Sequence, residues 1–202
     1  GGRVKTLHPL IFGGILGRDL DQKQMQEHNI DKIDMVICNL YPFKDAANKG
    51  VDLASLIEEI DIGGPSLLRA ASKNHSRVSV VTDPADYGWI IEEISKGGLT
   101  LKQRQQLALK SFRHTAEYDS IIQSVLGQRF GEEELPSSLN LTGIGSPPLR
   151  YGENPHQSSI FYSDLLHSAP SVANSAQIQG KQLSYNNLLD FDAALAIVME
   201  FD

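Results

Sequence analysis

The chain has 202 residues, 41% of them hydrophobic and 21% charged, the range of folded globular protein rather than of disordered or fibrous material. That length suits one large domain or two small ones with a core needing no staple, and the single cysteine, Cys38, excludes an internal disulfide. The net charge of −7 argues against general polyanion binding, and no apolar run approaches the roughly 20 residues of a membrane helix.

In chain order, the opening Arg3-Val4-Lys5-Thr6-Leu7-His8-Pro9 reads as extended, since Pro9 pushes His8 away from helical geometry. Alternation then sets Arg3 and Lys5 on one face, two cations suited to a phosphate or an oxyanion, although a solvated basic edge has the same pattern. A helix is expected over 16–26. Met35 to Leu40 is a nearly continuous apolar run, the pattern of a strand buried on both faces, and Val78 to Val81 reads the same way. Asn39 and Tyr41 stand where the first of these strands ends, the usual side for ligands in an open α/β sheet.

Helices are expected over 53–60, 65–73 and 86–95, which with the two strands gives an α/β domain with a mainly parallel sheet. Asp61-Ile62-Gly63-Gly64-Pro65 opens the second of them, with Pro65 at the first helical position and free amides that favour an anion. Ser66, Arg69 and Lys73 form its polar stripe. Thr100 is the expected N-cap of a long helix that Gly127 ends, its stripe being Leu101, Leu107, Ala108, Phe112, Ala116, Ile121, Ile122 and Val125.

From Gly127 to Pro148 the composition turns to Ser, Gly, Pro and Glu, and reads as a linker. Residues 1–126 hold 15 Lys/Arg against 16 Asp/Glu, whereas residues 127–202 hold 3 against 9, so the acidity belongs to the second region. There, Arg150-Tyr151-Gly152-Glu153-Asn154-Pro155-His156-Gln157 is the densest polar cluster, an inventory suited to an aromatic amide ligand or to a self-satisfied turn. Ser159 to Tyr162 reads as a strand and Asn187 onward as a helix. The six histidines show no ligand spacing, so no metal site is expected, and there is no Walker loop, dinucleotide fingerprint or nucleophile elbow.

Six ordered segments carry a resemblance: Gly2 to Pro9, Cys38-Asn39-Leu40-Tyr41-Pro42-Phe43, Asp61-Ile62-Gly63-Gly64, Ala70-Ala71-Ser72-Lys73-Asn74-His75, Leu149 to Gln157, and Leu183 to Asp190. Together they resemble the bifunctional purine-biosynthesis family that joins AICAR formyltransferase to IMP cyclohydrolase. The resemblance implies a methylglyoxal-synthase-like α/β domain over 1–126, lacking its first βα segment, a linker over 127–148, and the start of a cytidine-deaminase-like domain over 149–202. It implies that Lys5, Tyr41, Asp61 and Lys73 are catalytic for ring closure and that Arg3, Thr6, Asn39 and Gly63 contact substrate. Arg150, Tyr151, His156 and Asn187 then belong to the AICAR-binding side of the transferase.

The family uses 10-formyltetrahydrofolate as co-substrate, with no tightly bound cofactor, and the resemblance implies a cytoplasmic homodimer acting on AICAR, FAICAR and IMP. The opening lacks an initiator Met and the last residues read as an unfinished helix, so the chain is expected to be an internal fragment. By itself it is expected to lack formyltransferase activity and to have weak or no cyclohydrolase activity. The rival reading is a phosphate- or nucleotide-sensing regulatory module of the same α/β fold.

Overall fold

The computed structural model describes residues 6–131, 140, 142–164 and 169–201. Two compact units divide the chain, Gly1–Leu135 and Pro136–Asp202.

In the first unit, helix α1 (Pro9–Leu16) starts where the sequence permits: His8 is extended and its Nδ1 accepts the Leu10 N–H at 3.3 Å, while Pro9 at the first position lacks an N–H to satisfy. The expected helix over 16–26 is instead broken. Gly17 closes α1, Arg18 is extended, and the Asp21 carboxylate accepts from the Arg18 backbone N–H at 2.9 Å and from its Nε at 2.8 Å. That local capping outcompetes helix continuation, so the chain makes a 3₁₀ turn (Asp19–Asp21) before α2 (Gln22–Glu27).

Strands β1 (Met35–Ile37) and β2 (Ser79–Val81) pair in parallel, with Val36 opposite Val80. All of β2 is buried, as its apolar run predicts. The same expectation fails for β1: Val36 is buried, but Ile37, which alternation sends to the other face, is 56% exposed. Between the strands lie α3 (Phe43–Asn48), α4 (Leu53–Glu58) and α5 (Gly63–Lys73), and after β2 come α6 (Tyr87–Ser95) and α7 (Leu101–Phe130). Leu68 and Ala71 of α5, Val78, Val80 and Val81, and Leu107 and Ala108 of α7 share one core with Ile15 and Ile90.

The Thr100 cap holds, as a capping box with Gln103. Gly127 does not end α7; the helix runs on to Phe130 and stops at Gly131, whose φ of +74° only glycine adopts readily. Its buried face also differs from the apolar stripe. Leu101 and Phe112 are exposed to 49% and 40%, while Ser111, Thr115 and Tyr118 are buried with Leu107, Ala108 and Ile121. Counting apolar residues alone misplaced the stripe, because three of the positions at helical spacing carry hydroxyls.

Lys110 ties α7 to the turn after β2, its Nζ lying 2.6 Å from Asp83 Oδ2 and 2.7 Å from Asp86 Oδ2. The Lys110 bond, with the Ala85 N–H, holds the Asp83 carboxyl below the ordinary aspartate value. A carboxyl depressed in the folded state stabilises above its unfolded value of about 3.9 and loses that contribution as pH falls through the folded value. Lys110→Met is therefore expected to lower urea resistance at pH 7 and to flatten part of the decline below about pH 4. An unchanged acid limb in the variant would refute this.

In the second unit, β3 (Gly143–Gly145) and β4 (Tyr162–Asp164) pair antiparallel, Ile144 opposite Ser163, and α8 (Tyr185–Val198) follows. The stretch expected to be linker thus contains the end of α7 and all of β3. The strand expected at Ser159 begins three residues later, although the Phe161 carbonyl already accepts from Ser146 N–H at 2.7 Å. Among the described residues no helix is long and apolar enough to cross a membrane.

Candidate functional site

The parallel strands end side by side, and their carboxyl ends deliver Cys38-Asn39 and Thr82-Asp83 to one edge of the first unit. Asn39 bridges the two exits: its Nδ2 donates to the Thr82 carbonyl at 3.0 Å and its Oδ1 accepts from the Tyr87 hydroxyl at 3.4 Å. The side-chain amide is thereby held in one orientation.

The connection from α4 to α5 brings Asp61 to the same edge. Half-burial, and then the neighbouring Asp61 carboxylate, push the Cys38 thiol above its ordinary pKa, so this cysteine is not an activated nucleophile. Asp61 Oδ1 accepts the Gly64 N–H at 2.9 Å, capping an otherwise orphaned amide of α5. Helix α5 begins at Gly63, so Pro65 is its third residue rather than its first; it still lies where the helix needs no donor. Gly63 lies beside the backbone of Thr6, 3.5 Å from where a Cβ would stand, so Thr6 lies over the helix start.

Tyr41, 45% exposed, lines a cavity of about 190 Å³ with Lys44 and with His114, Glu117 and Tyr118 of α7. Tyr118 also reaches the Asp61 loop: its hydroxyl accepts from the Asp61 N–H at 2.9 Å. Thus Thr6, Asn39, Tyr41, Asp61 and Gly63 gather around the strand ends and the start of α5. Lys73 is the last residue of α5, about 15 Å along the axis from Gly63. Arg3 and Lys5 lie outside the described residues. Tyr118, which sequence reasoning passed over, was marked only by its place on the helical period of α7.

In the second unit the Arg150 N–H donates to the Leu183 carbonyl at 2.7 Å and the Tyr185 N–H to the Tyr151 carbonyl at 3.2 Å, seating both residues at the start of α8. The Arg150 guanidinium lies 4.8 Å from the centre of the Tyr151 ring. Asn187, expected to start the helix, is its third residue, and its Oδ1 accepts from the Ser184 N–H and hydroxyl at 3.1 and 3.0 Å. His156 is exposed on a turn closed by the Gly152 N–H to Gln157 carbonyl bond of 2.8 Å, and Asn186 ties that turn to α8 through the Glu153 carbonyl. Arg150, Tyr151 and Asn187 therefore stand at one helix N-terminus, with His156 on the adjoining turn. Among the described residues no cluster of His, Cys, Asp or Glu could hold a metal ion.

Comparison with known proteins gives a consistent set. Residues 71–202 match the family model described as AICARFT/IMPCHase bienzyme, and residues 2–66 match that of an MGS-like domain. The bifunctional purine biosynthesis protein PurH of Persephonella marina is 50% identical over 208 residues, covering 100% of this chain and 40% of that protein. PurH of Lactococcus lactis subsp. cremoris (strain MG1363) is 54% identical over 206 residues with the same shares. The structure titled "Crystal structure of ForH" superposes with a TM-score of 0.55 at 36% identity, covering 63% of this chain and 68% of that one. The chain spans about two fifths of the length of these PurH relatives. With the family model matched over more than half its residues, the chain belongs to the AICARFT/IMPCHase bienzyme family.

Proposed function

We propose that the chain is part of a cytoplasmic, homodimeric enzyme of purine synthesis that formylates AICAR from 10-formyltetrahydrofolate and then closes the product, FAICAR, to IMP. The observation that carries this reading is the gathering of Asn39, Tyr41, Asp61 and Gly63 around the strand ends, with Thr6 over the start of α5, in a chain of this family.

Ring closure forms a bond between the carboxamide nitrogen and the formyl carbon, moves charge onto the formyl oxygen, and then expels that oxygen as water. Asp61 is suited to take the carboxamide proton as the C–N bond forms, with Tyr41 relaying a proton to the departing oxygen. A cation must face the developing oxyanion. We assign that role to Lys5, the sequence neighbour of Thr6. In the second unit, Arg150, Tyr151, His156 and Asn187 suit a ligand that pairs an anion with an aromatic amide, the phosphate falling toward the amides that open α8.

The test is cyclisation of FAICAR by a full-length protein carrying this chain. Asp61→Asn is expected to lower kcat by about 100-fold or more, whereas Lys73→Met is expected to cost less than about tenfold. Equal losses would return Lys73 to the reacting centre; full activity in Asp61→Asn would remove the cyclohydrolase reading.

A further inference from the structure

We propose that Tyr118, buried midway along α7, is a positioning residue for Asp61 in ring closure, an assignment that rests on the function proposed above. One hydroxyl holds the approach to Asp61 from both directions: it accepts from the Asp61 backbone N–H at 2.9 Å and donates to the Glu59 carbonyl at 3.0 Å. Those two groups flank Ile60 in the short connection between α4 and α5, which has no regular structure to fix it. The Asp61 carboxylate is in turn held from the other side by the Gly64 N–H. Backbone and side chain of the same residue are thus anchored independently, one to α7 and one to α5.

Tyr118 is itself fixed. It is 8% exposed, stands on a 30-residue helix, and packs edge-on against Phe43 with ring centres 6.4 Å apart at 71°. The edge contact with Phe43 fixes the ring, and the hydroxyl is what supports the loop that carries Asp61. A phenol is protonated across the neutral range with an ordinary pKa of about 10, and burial pushes this one higher, so the hydroxyl donates to Glu59. A core tyrosine needing only a polar partner would have been satisfied by the Glu59 carbonyl; the second bond, to the amide of the acid itself, sets the position of the proton acceptor.

The test is Tyr118→Phe in a full-length protein carrying this chain, since phenylalanine keeps the ring and removes both hydrogen bonds. Cyclisation kcat is expected to fall about tenfold, with KM within about twofold, Tm lower by only a few degrees and formyl transfer unchanged. Tyr118→Leu, which also removes the ring, is expected to lower Tm much further without a deeper loss of kcat. Wild-type kcat in Tyr118→Phe, or losses that track Tm across the two variants, would overturn the proposal. Should Tyr118→Phe not fold, 4-aminophenylalanine at position 118 keeps the shape and the donor toward Glu59 but is a poor acceptor for the Asp61 amide. The same tenfold loss is then expected, and a wild-type rate overturns the assignment. Asp61→Asn separates the two levels: full activity there defeats the cyclohydrolase reading, and this proposal with it. An inactive Asp61→Asn beside an unaffected Tyr118→Phe defeats only the role of Tyr118.

Discussion

Arg77→Ala is expected to destabilise the first unit by roughly 3–5 kcal/mol, the largest single loss of stability foreseen for a polar substitution in the chain. The Arg77 guanidinium, on a side chain only 13% exposed, donates to four main-chain carbonyls: Gly17 at 3.0 Å from Nε, Ile33 at 3.2 Å from Nη1, and Gly14 and Ile15 at 2.6 and 3.2 Å from Nη2. Asp34 completes the set at 2.8 Å, but its carboxylate is 79% exposed and that ion pair contributes little. The stabilisation lies in the carbonyls, three of which close α1 and one of which precedes β1. Alanine withdraws four charge-assisted bonds; Ile15 and Gly17 keep the Asn74 Nδ2 and Gly14 keeps the Ile33 N–H, so the loss is that of the guanidinium bonds themselves. Arg77→Lys keeps the charge but loses the planar fork, so it is expected to recover less than half of the loss. Urea unfolding followed by the fluorescence of Trp89, the single tryptophan, measures both, and a loss below about 1 kcal/mol in Arg77→Ala would refute the argument. The effect reaches the candidate site as well, because α1 directly follows the Thr6 segment that lies over Gly63.

Arg77 illustrates what the sequence could not disclose. Its partners lie some 44 to 63 residues away and are main-chain oxygens, which no side-chain pattern announces. Local signals were legible: Pro9 opening a helix, Thr100 with Gln103 capping another, the buried run at Val78 to Val81, and the place of Asn39 at a strand end. Tyr118 was missed for a different reason, since an apolar count skips a phenol even where the helical period requires a buried residue. Ile37 shows the converse error, an apolar residue assumed to be covered because its neighbours are. Motif order also leaves spacing open, for it does not report that α5 sets Lys73 about 15 Å along its axis from Gly63.

Gly63 and Gly64 are indistinguishable in sequence, yet their alanine variants are expected to differ in sign. A Cβ on Gly63 would meet Thr6 N at 3.5 Å and Thr6 O at 3.7 Å, ordinary contact. Alanine there gains helix propensity, so Gly63→Ala is expected to be neutral or to stabilise by up to about 1 kcal/mol. A Cβ on Gly64 would stand 2.5 Å from Asp61 Oδ2 and 2.8 Å from Leu40 Cδ2, closer than atoms tolerate. Leu40 can turn aside, but the carboxylate cannot leave without surrendering the Gly64 N–H that it caps at 2.9 Å. The same propensity gain is therefore outweighed by overpacking and a broken cap, a net loss of about 1–3 kcal/mol. Activity should fall further than stability, because the atom displaced is the proposed proton acceptor: Gly64→Ala is expected to cyclise FAICAR as poorly as Asp61→Asn even where it is fully folded. Paired urea titrations of the two variants, with single-turnover cyclisation in the full-length protein, decide the matter. Equal unfolding midpoints would show that Asp61 does not hold the position assigned to it, and a folded, active Gly64→Ala would show that ring closure does not depend on that position.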